Sequence, residues 1–156
     1  MVQKEIYITN EGHENLDNEL NYLKTVRRKE VAVRIYKATD AGGAVDNAEY
    51  DAAKNEQAFV EGRVSELEDI LSKAVVALID RSLKDAVQLG SSVTVALEDG
   101  SAQVYIVVGS VEAAPLEGKI SIESPAGRAL LGQKVGDKVD VETPSGFLQL
   151  TILRVR

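Results

Sequence analysis

The sequence predicts an α+β protein in two parts: a long antiparallel α-helical coiled-coil hairpin over residues 1–78, with its tip at 41–47, and a small α+β domain over 79–156. Three observations carry this expectation. No glycine or proline falls between His13 and Ala41, whereas all three prolines (Pro115, Pro125, Pro144) and eight of the twelve glycines lie beyond residue 78. Apolar residues recur at helical spacing in the first half and alternate in the second. Charge is uneven as well: residues 1–80 hold 16 acids and 10 bases, residues 81–156 only 9 and 8.

The first helix opens at Thr9 or Asn10, either of which can cap it, with Glu11 favourably placed near its N-terminus. Leu16, Leu20 and Leu23 define its apolar stripe, which Val31, Ile35 and Ala38 resume, and Gly42-Gly43 breaks it. Residues 10–40 would span roughly 46 Å as a helix. A second helix restarts at Asp46 or Asn47. Its seam runs Tyr50, Ala53, Gln57, Val60, Val64, Leu67, Leu71 and Ala74 at alternating gaps of three and four, a heptad stripe. Two such helices joined by a short loop pack antiparallel. From pattern alone the hairpin serves equally as a probe or as a dimerisation coiled coil.

Beyond Asp80 the period becomes two. Val93, Val95 and Leu97 form a strand, Asp99-Gly100 a two-residue hairpin turn, and Val104, Ile106 and Val108 the return strand. Ile120 and Ile122 alternate again. Ser124-Pro125 reads as an N-cap with proline at the first helical position, opening a short helix over Ala126–Leu131 that Gly132 closes. Val139 and Val141 make a strand, Pro144-Ser145-Gly146 a turn, and residues 147–155 the last strand. Asp137 is expected to serve a turn.

Composition narrows the function. The formal net charge is −7, against a general nucleic-acid-binding surface. Cysteine is absent and histidine occurs once, as His13, which excludes disulfides and thiolate chemistry and argues against a His-based zinc site or a Ser-His-Asp relay. No apolar run approaches the roughly 20 residues of a membrane span, and no signal-peptide apolar region follows Met1–Glu5, so a cytoplasmic protein with no membrane partner is expected. Residues 79–156 offer only Tyr105 and Phe147 as aromatics, no paired carboxylates and no phosphate loop, since Gly132-Gln133-Lys134-Val135-Gly136 lacks the Walker pattern. One local contrast stands out. Lys24 to Lys37 holds six bases and one acid, and Ala38 to Ser72 holds nine acids and two bases. Attraction between two helices explains part of this pattern.

The stretch Asn47-Ala48-Glu49-Tyr50-Asp51-Ala52-Ala53-Lys54-Asn55-Glu56-Gln57 resembles the N-A-E-Y-x-A-A-K-x-x-Q signature of bacterial Gre transcript-cleavage factors, and Phe59–Val64 continues the match. Leu20–Arg28 is similar to the family's L-x-x-L-K-T-x-x-R segment. Gly118–Pro125, Ala129–Gly132 and Val135–Asp137 are similar to its second-domain motif. The resemblance covers almost the whole chain and implies an FKBP-like C-terminal domain. It also implies a bacterial transcription elongation factor that binds RNA polymerase at the secondary channel, docking through Glu123, Ser124 and Pro125. Lys24, Arg27 and Arg28 would lie near the 3′ end of backtracked RNA, whose polyanionic backbone suits them. The factor would be no enzyme itself, would act as a monomer and would carry no cofactor or metal of its own. It would stimulate RNA cleavage through the Mg²⁺ of the polymerase's two-metal active site.

The tip departs from the family's G-D-L-S-E-N-A-E-Y. Here Gly42-Gly43-Ala44-Val45-Asp46-Asn47-Ala48-Glu49-Tyr50 puts Gly43 for the first acid and Asp46 for the second. Asp46 is therefore the tip acid expected to assist the polymerase Mg²⁺, supported by Asn47, Glu49 and Tyr50. Losing one of two such groups costs on the order of 10²-fold in assisted rate. The alternatives are a Gre-like paralogue that occupies the channel and inhibits or modulates the polymerase, or a module of the same fold with another partner.

Overall fold

A computed structural model describes residues 5–43, 45–83 and 85–156. The protein forms two compact units: His13–Lys73, and the chain up to Gly12 taken together with Ala74–Arg156. A strand pair with no periodic signal in the sequence places the first residues in the second of these units. Strand β1 (Ile6–Ile8) runs parallel to β2 (Ala74–Val76), pairing Ile6 with Ala74 and Ile8 with Val76. Ala74, assigned above to the end of the helical seam, is thus the first strand residue after the helix. Three-residue strands carry no periodic signal of their own.

The hairpin comprises α1 (Asn10–Tyr22), a π-helical turn (Leu23–Arg27), α2 (Arg28–Gly42) and α3 (Ala48–Lys73). Thr9 is the cap, its hydroxyl accepting the Gly12 N–H at 3.0 Å. The π turn has a sequence cause. Leu23 and Val31 are eight residues apart, one more than a heptad, and a π turn absorbs one extra residue while keeping both on the seam. Its bond runs from the Arg28 N–H to the Leu23 carbonyl. Leu20, Val31, Val60, Val64 and Leu67 are buried between the helices, flanked by Leu16, Leu23, Ile35 and Leu71. The expected seam is therefore the core of this unit, up to Leu71.

The second unit is built on a five-stranded sheet of order β5-β4-β3-β7-β6, from β3 (Ser92–Ala96), β4 (Ala102–Val108), β5 (Lys119–Ser121), β6 (Lys138–Thr143) and β7 (Gly146–Val155). All pairs are antiparallel except β4–β5. The helix α4 (Pro125–Leu130) opens as expected with Ser124 as its N-cap and Pro125 at its first position, and ends one residue before the expected Leu131. Val87, Val93, Val95, Val107, Ile120, Leu130, Val139, Val141, Leu150 and Ile152 form the core, with Ala126 and Ala129 packed against it. The β3–β4 turn is longer than the two residues expected. The Leu97 N–H donates to the Ser101 carbonyl, and Glu98, Asp99 and Gly100 make a three-residue loop with Gly100 at φ 86°. Asp99 holds that loop by accepting the Ser101 N–H and hydroxyl at 2.8 and 2.6 Å. Asp137 likewise serves a turn, accepting the Lys134 N–H at 2.9 Å.

The half-buried carboxylate of Glu112 joins the first strand to this unit. Its Oε2 accepts the N–H groups of Thr9 and Gly109, both at 3.0 Å, and its Oε1 accepts the Thr9 hydroxyl. The approach is close enough that a Cβ on Gly12 would overlap this carboxylate, and one on Gly109 the Tyr7 carbonyl oxygen.

Candidate functional site: the hairpin tip, its flanks and the loop before α4

The tip is a short turn between two helix ends, built on unusual backbone. Gly43 sits at φ 73° and ψ −175°, a region essentially restricted to glycine. Asp46 sits at φ 51°, and it is the one non-glycine residue with positive φ among the described residues. Asp and Asn tolerate this left-handed conformation better than other side chains. Among the described residues nothing hydrogen-bonds the Asp46 carboxylate, which is exposed to solvent. Of the two caps considered for the second helix, Asn47 is the one used: its Oδ1 accepts the Tyr50 N–H at 3.2 Å. The same side chain donates through Nδ2 to the carbonyls of Ala38 at 2.9 Å and Gly43 at 2.7 Å. Arg34, Lys37, Ala41, Asp46, Asn47 and Glu49 line a concavity of about 640 Å³ beside the turn. Glu49 is exposed and Tyr50 half-buried. Among the described residues no three acidic or histidine side chains gather as a metal-holding group.

The expected basic cluster is engaged by the opposite helix. Lys24 pairs with Glu68 at 2.7 Å, and Arg28 meets Glu61 with two bonds of 2.8 Å. Arg27 pairs with Glu30 and Glu56, and Arg34 shares Glu56 with it. Arg63 returns the arrangement, binding Glu19 through bonds of 2.8 and 2.9 Å. The attraction between oppositely charged helices therefore accounts for Lys24, Arg27, Arg28 and Arg34 in this state of the protein. Lys29 and Lys37 have no ion pair among the described residues, and Lys37 faces the tip concavity. Sequence reasoning counted these two bases in the cluster but did not single them out. Which bases stay unpaired depends on how the two helices are rotated, and no single-chain pattern shows that.

In the second unit, Glu123, Ser124 and Pro125 form the loop that opens α4. The Ser124 hydroxyl accepts the Gly127 N–H at 3.1 Å and donates to the Ser121 carbonyl at 2.6 Å. The Glu123 N–H donates to the Ser121 hydroxyl oxygen at 3.0 Å. Gly127 is buried against the Ser121 carbonyl, and a Cβ there would overlap it. In this loop Glu123 and Pro125 are exposed and Ser124, the cap, is half-buried.

Residues 6–76 match the family described as "Transcription elongation factor, N-terminal" of GreA and GreB, and residues 82–156 match "Transcription elongation factor, GreA/GreB, C-term". The chain is 50% identical to the transcription elongation factor GreA of Geobacillus kaustophilus, over 99% of this chain and 98% of that protein. It is 48% identical to the protein of the same name from Chloroflexus aggregans, over the whole of both chains. Among solved structures it is similar to the GreA factor homolog 1 protein of Thermus thermophilus, at 32% identity and a TM-score of 0.44, covering 98% of this chain and 99% of that one.

Proposed function

The chain belongs to the GreA/GreB family of transcription elongation factors, and from that premise we propose that it binds bacterial RNA polymerase at the secondary channel and stimulates cleavage of backtracked nascent RNA. The observation that carries this reading is the tip: an exposed carboxylate, Asp46, without a hydrogen-bond partner among the described residues, held at the end of a two-helix hairpin. Mg²⁺ held by the polymerase would supply the Lewis-acid chemistry for the attacking water in the bound complex. One tip carboxylate does not make a metal site by itself, but it fits the task of adding a hard oxygen ligand to a site the polymerase already holds. The factor performs no chemistry alone; it lends a side chain to another active site.

The second unit, FKBP-like in this reading, docks at the channel rim through the loop of Glu123 and Pro125, which Ser124 and Gly127 keep rigid. Lys24, Arg27 and Arg28 face the RNA 3′ end with carboxylate partners that the RNA phosphates compete for. Electrostatic competition of this kind weakens with salt. The factor works as a monomer in the cytoplasm.

The test uses stalled, backtracked elongation complexes with labelled RNA and Mg²⁺. Shortened transcripts with the wild type and none with Asp46→Ala support the reading. Absence of shortening with slowed extension supports the inhibitory alternative instead. Docking is tested with Glu123→Lys, because Ser124 substitutions also remove a helix cap. Unchanged co-purification with polymerase overturns the docking assignment.

A further inference from the structure

We propose that Asn47 is the positioning residue for the tip acid, its one side chain fastening the end of α2, the turn and the start of α3 so that Asp46 points outward; the role presupposes the cleavage function proposed above. Three bonds support it. Nδ2 donates to the Ala38 carbonyl at 2.9 Å and the Gly43 carbonyl at 2.7 Å, and Oδ1 accepts the Tyr50 N–H at 3.2 Å. The Asp46 carboxylate makes no hydrogen bond among the described residues, so its direction is set by its own backbone, at φ 51°. That backbone lies between Gly43, in a glycine-only conformation, and Asn47 itself. Left alone, such a turn samples other conformers. The bonds to Ala38 and Gly43 close it from the α2 side, and the bond from Tyr50 fixes it from the α3 side. The cap alone needs only an acceptor. The two donations are what a cap does not require and a rigid turn does.

That difference defines the test. Asn47→Asp keeps the acceptor for the Tyr50 N–H and replaces the donor with an oxygen that faces two carbonyl oxygens. Asn47→Ser keeps a capping hydroxyl without an amide's double donation. Both variants are assayed in the backtracked-complex cleavage reaction over a range of factor concentrations, with competition against wild type for polymerase and circular dichroism of the free protein. The expected result is unchanged helicity, an apparent affinity within about twofold of wild type, and a saturating cleavage rate reduced about 10- to 100-fold, the loss produced by misplacing one group by about 1 Å. A raised Mg²⁺ requirement should accompany it. A wild-type saturating rate in Asn47→Asp overturns the proposal while leaving the cleavage function standing. So does a loss seen only in affinity or helicity, which marks an ordinary cap. A wild-type protein that stimulates no cleavage overturns both.

Discussion

Replacing Glu112 with alanine should loosen the joint between the first strand and the C-terminal sheet. The carboxylate accepts two backbone N–H groups at 3.0 Å, from Thr9 and Gly109, and the Thr9 hydroxyl. Alanine removes both acceptor oxygens and so all three bonds, leaving two part-buried N–H groups and the Thr9 hydroxyl without this acceptor. A hydrogen bond to a charged group contributes about 1.5–3 kcal/mol. Partial exposure lets water recover some of this, so the expected loss is about 2–4 kcal/mol in total. Glu112→Gln keeps one oxygen that can still serve both N–H groups, while its NH₂ can donate to the Thr9 hydroxyl oxygen in place of accepting from it, so the expected loss is only about 1 kcal/mol. Two measurements read the difference. Urea unfolding followed by tyrosine fluorescence should give a lower midpoint for alanine than for glutamine, at equal slope. Amide exchange at Thr9 and Gly109 should accelerate about 30-fold or more in the alanine variant, since each 1.4 kcal/mol is a factor of ten. Exchange at both amides within about twofold of wild type, with an unchanged midpoint, would refute the reasoning.

Leu67→Ala, at a fully buried seam position, should destabilise the hairpin by about 2–5 kcal/mol, read as a lower thermal midpoint in circular dichroism. Gly43→Asp adds back the acid that the family places at this position, but Gly43 holds a conformation that costs other residues about 1–3 kcal/mol. The saturating cleavage rate should therefore gain less than about 10-fold, and a gain near 10²-fold would show that the turn accommodates aspartate freely. The Arg28 guanidinium holds the Glu61 carboxyl below its ordinary value of 4.5. A lowered folded-state value means that this pair supports the hairpin above pH 4.5 and that its support is lost as pH falls through the lower value. Between pH 7 and pH 3 the wild type should thus lose more thermal stability than Glu61→Gln, and equal losses would count against the pair.

Much of the architecture follows from local signals. The stripe from Tyr50 to Leu71, the break at Gly43, the Ser124-Pro125 cap and the alternation of Val93 and Val95 are each written within a few residues, because turn chemistry and periodicity act over one or two turns of chain. The departure at the tip was equally legible, since the identities of Gly43 and Asp46 need no coordinates. What these residues do there was not. That Gly43 and Asp46 occupy positive φ, and that Asn47 bonds back to Ala38, depends on where two helix ends meet. The sequence gathered six bases into one cluster, but only the packing of the π turn and α2 against α3 determined that Lys24, Arg27, Arg28 and Arg34 face carboxylates while Lys29 and Lys37 have none among the described residues. Strands β1 and β2 and the Glu112 joint likewise tie residues up to 103 positions apart. Sequence alone determined the helices of the hairpin, its break at Gly43 and the longer alternating strands, since those choices are settled between neighbours. The tertiary structure decided which charges pair, which backbone carries the tip acid and which distant strands join, since those energies exist only once separate segments touch.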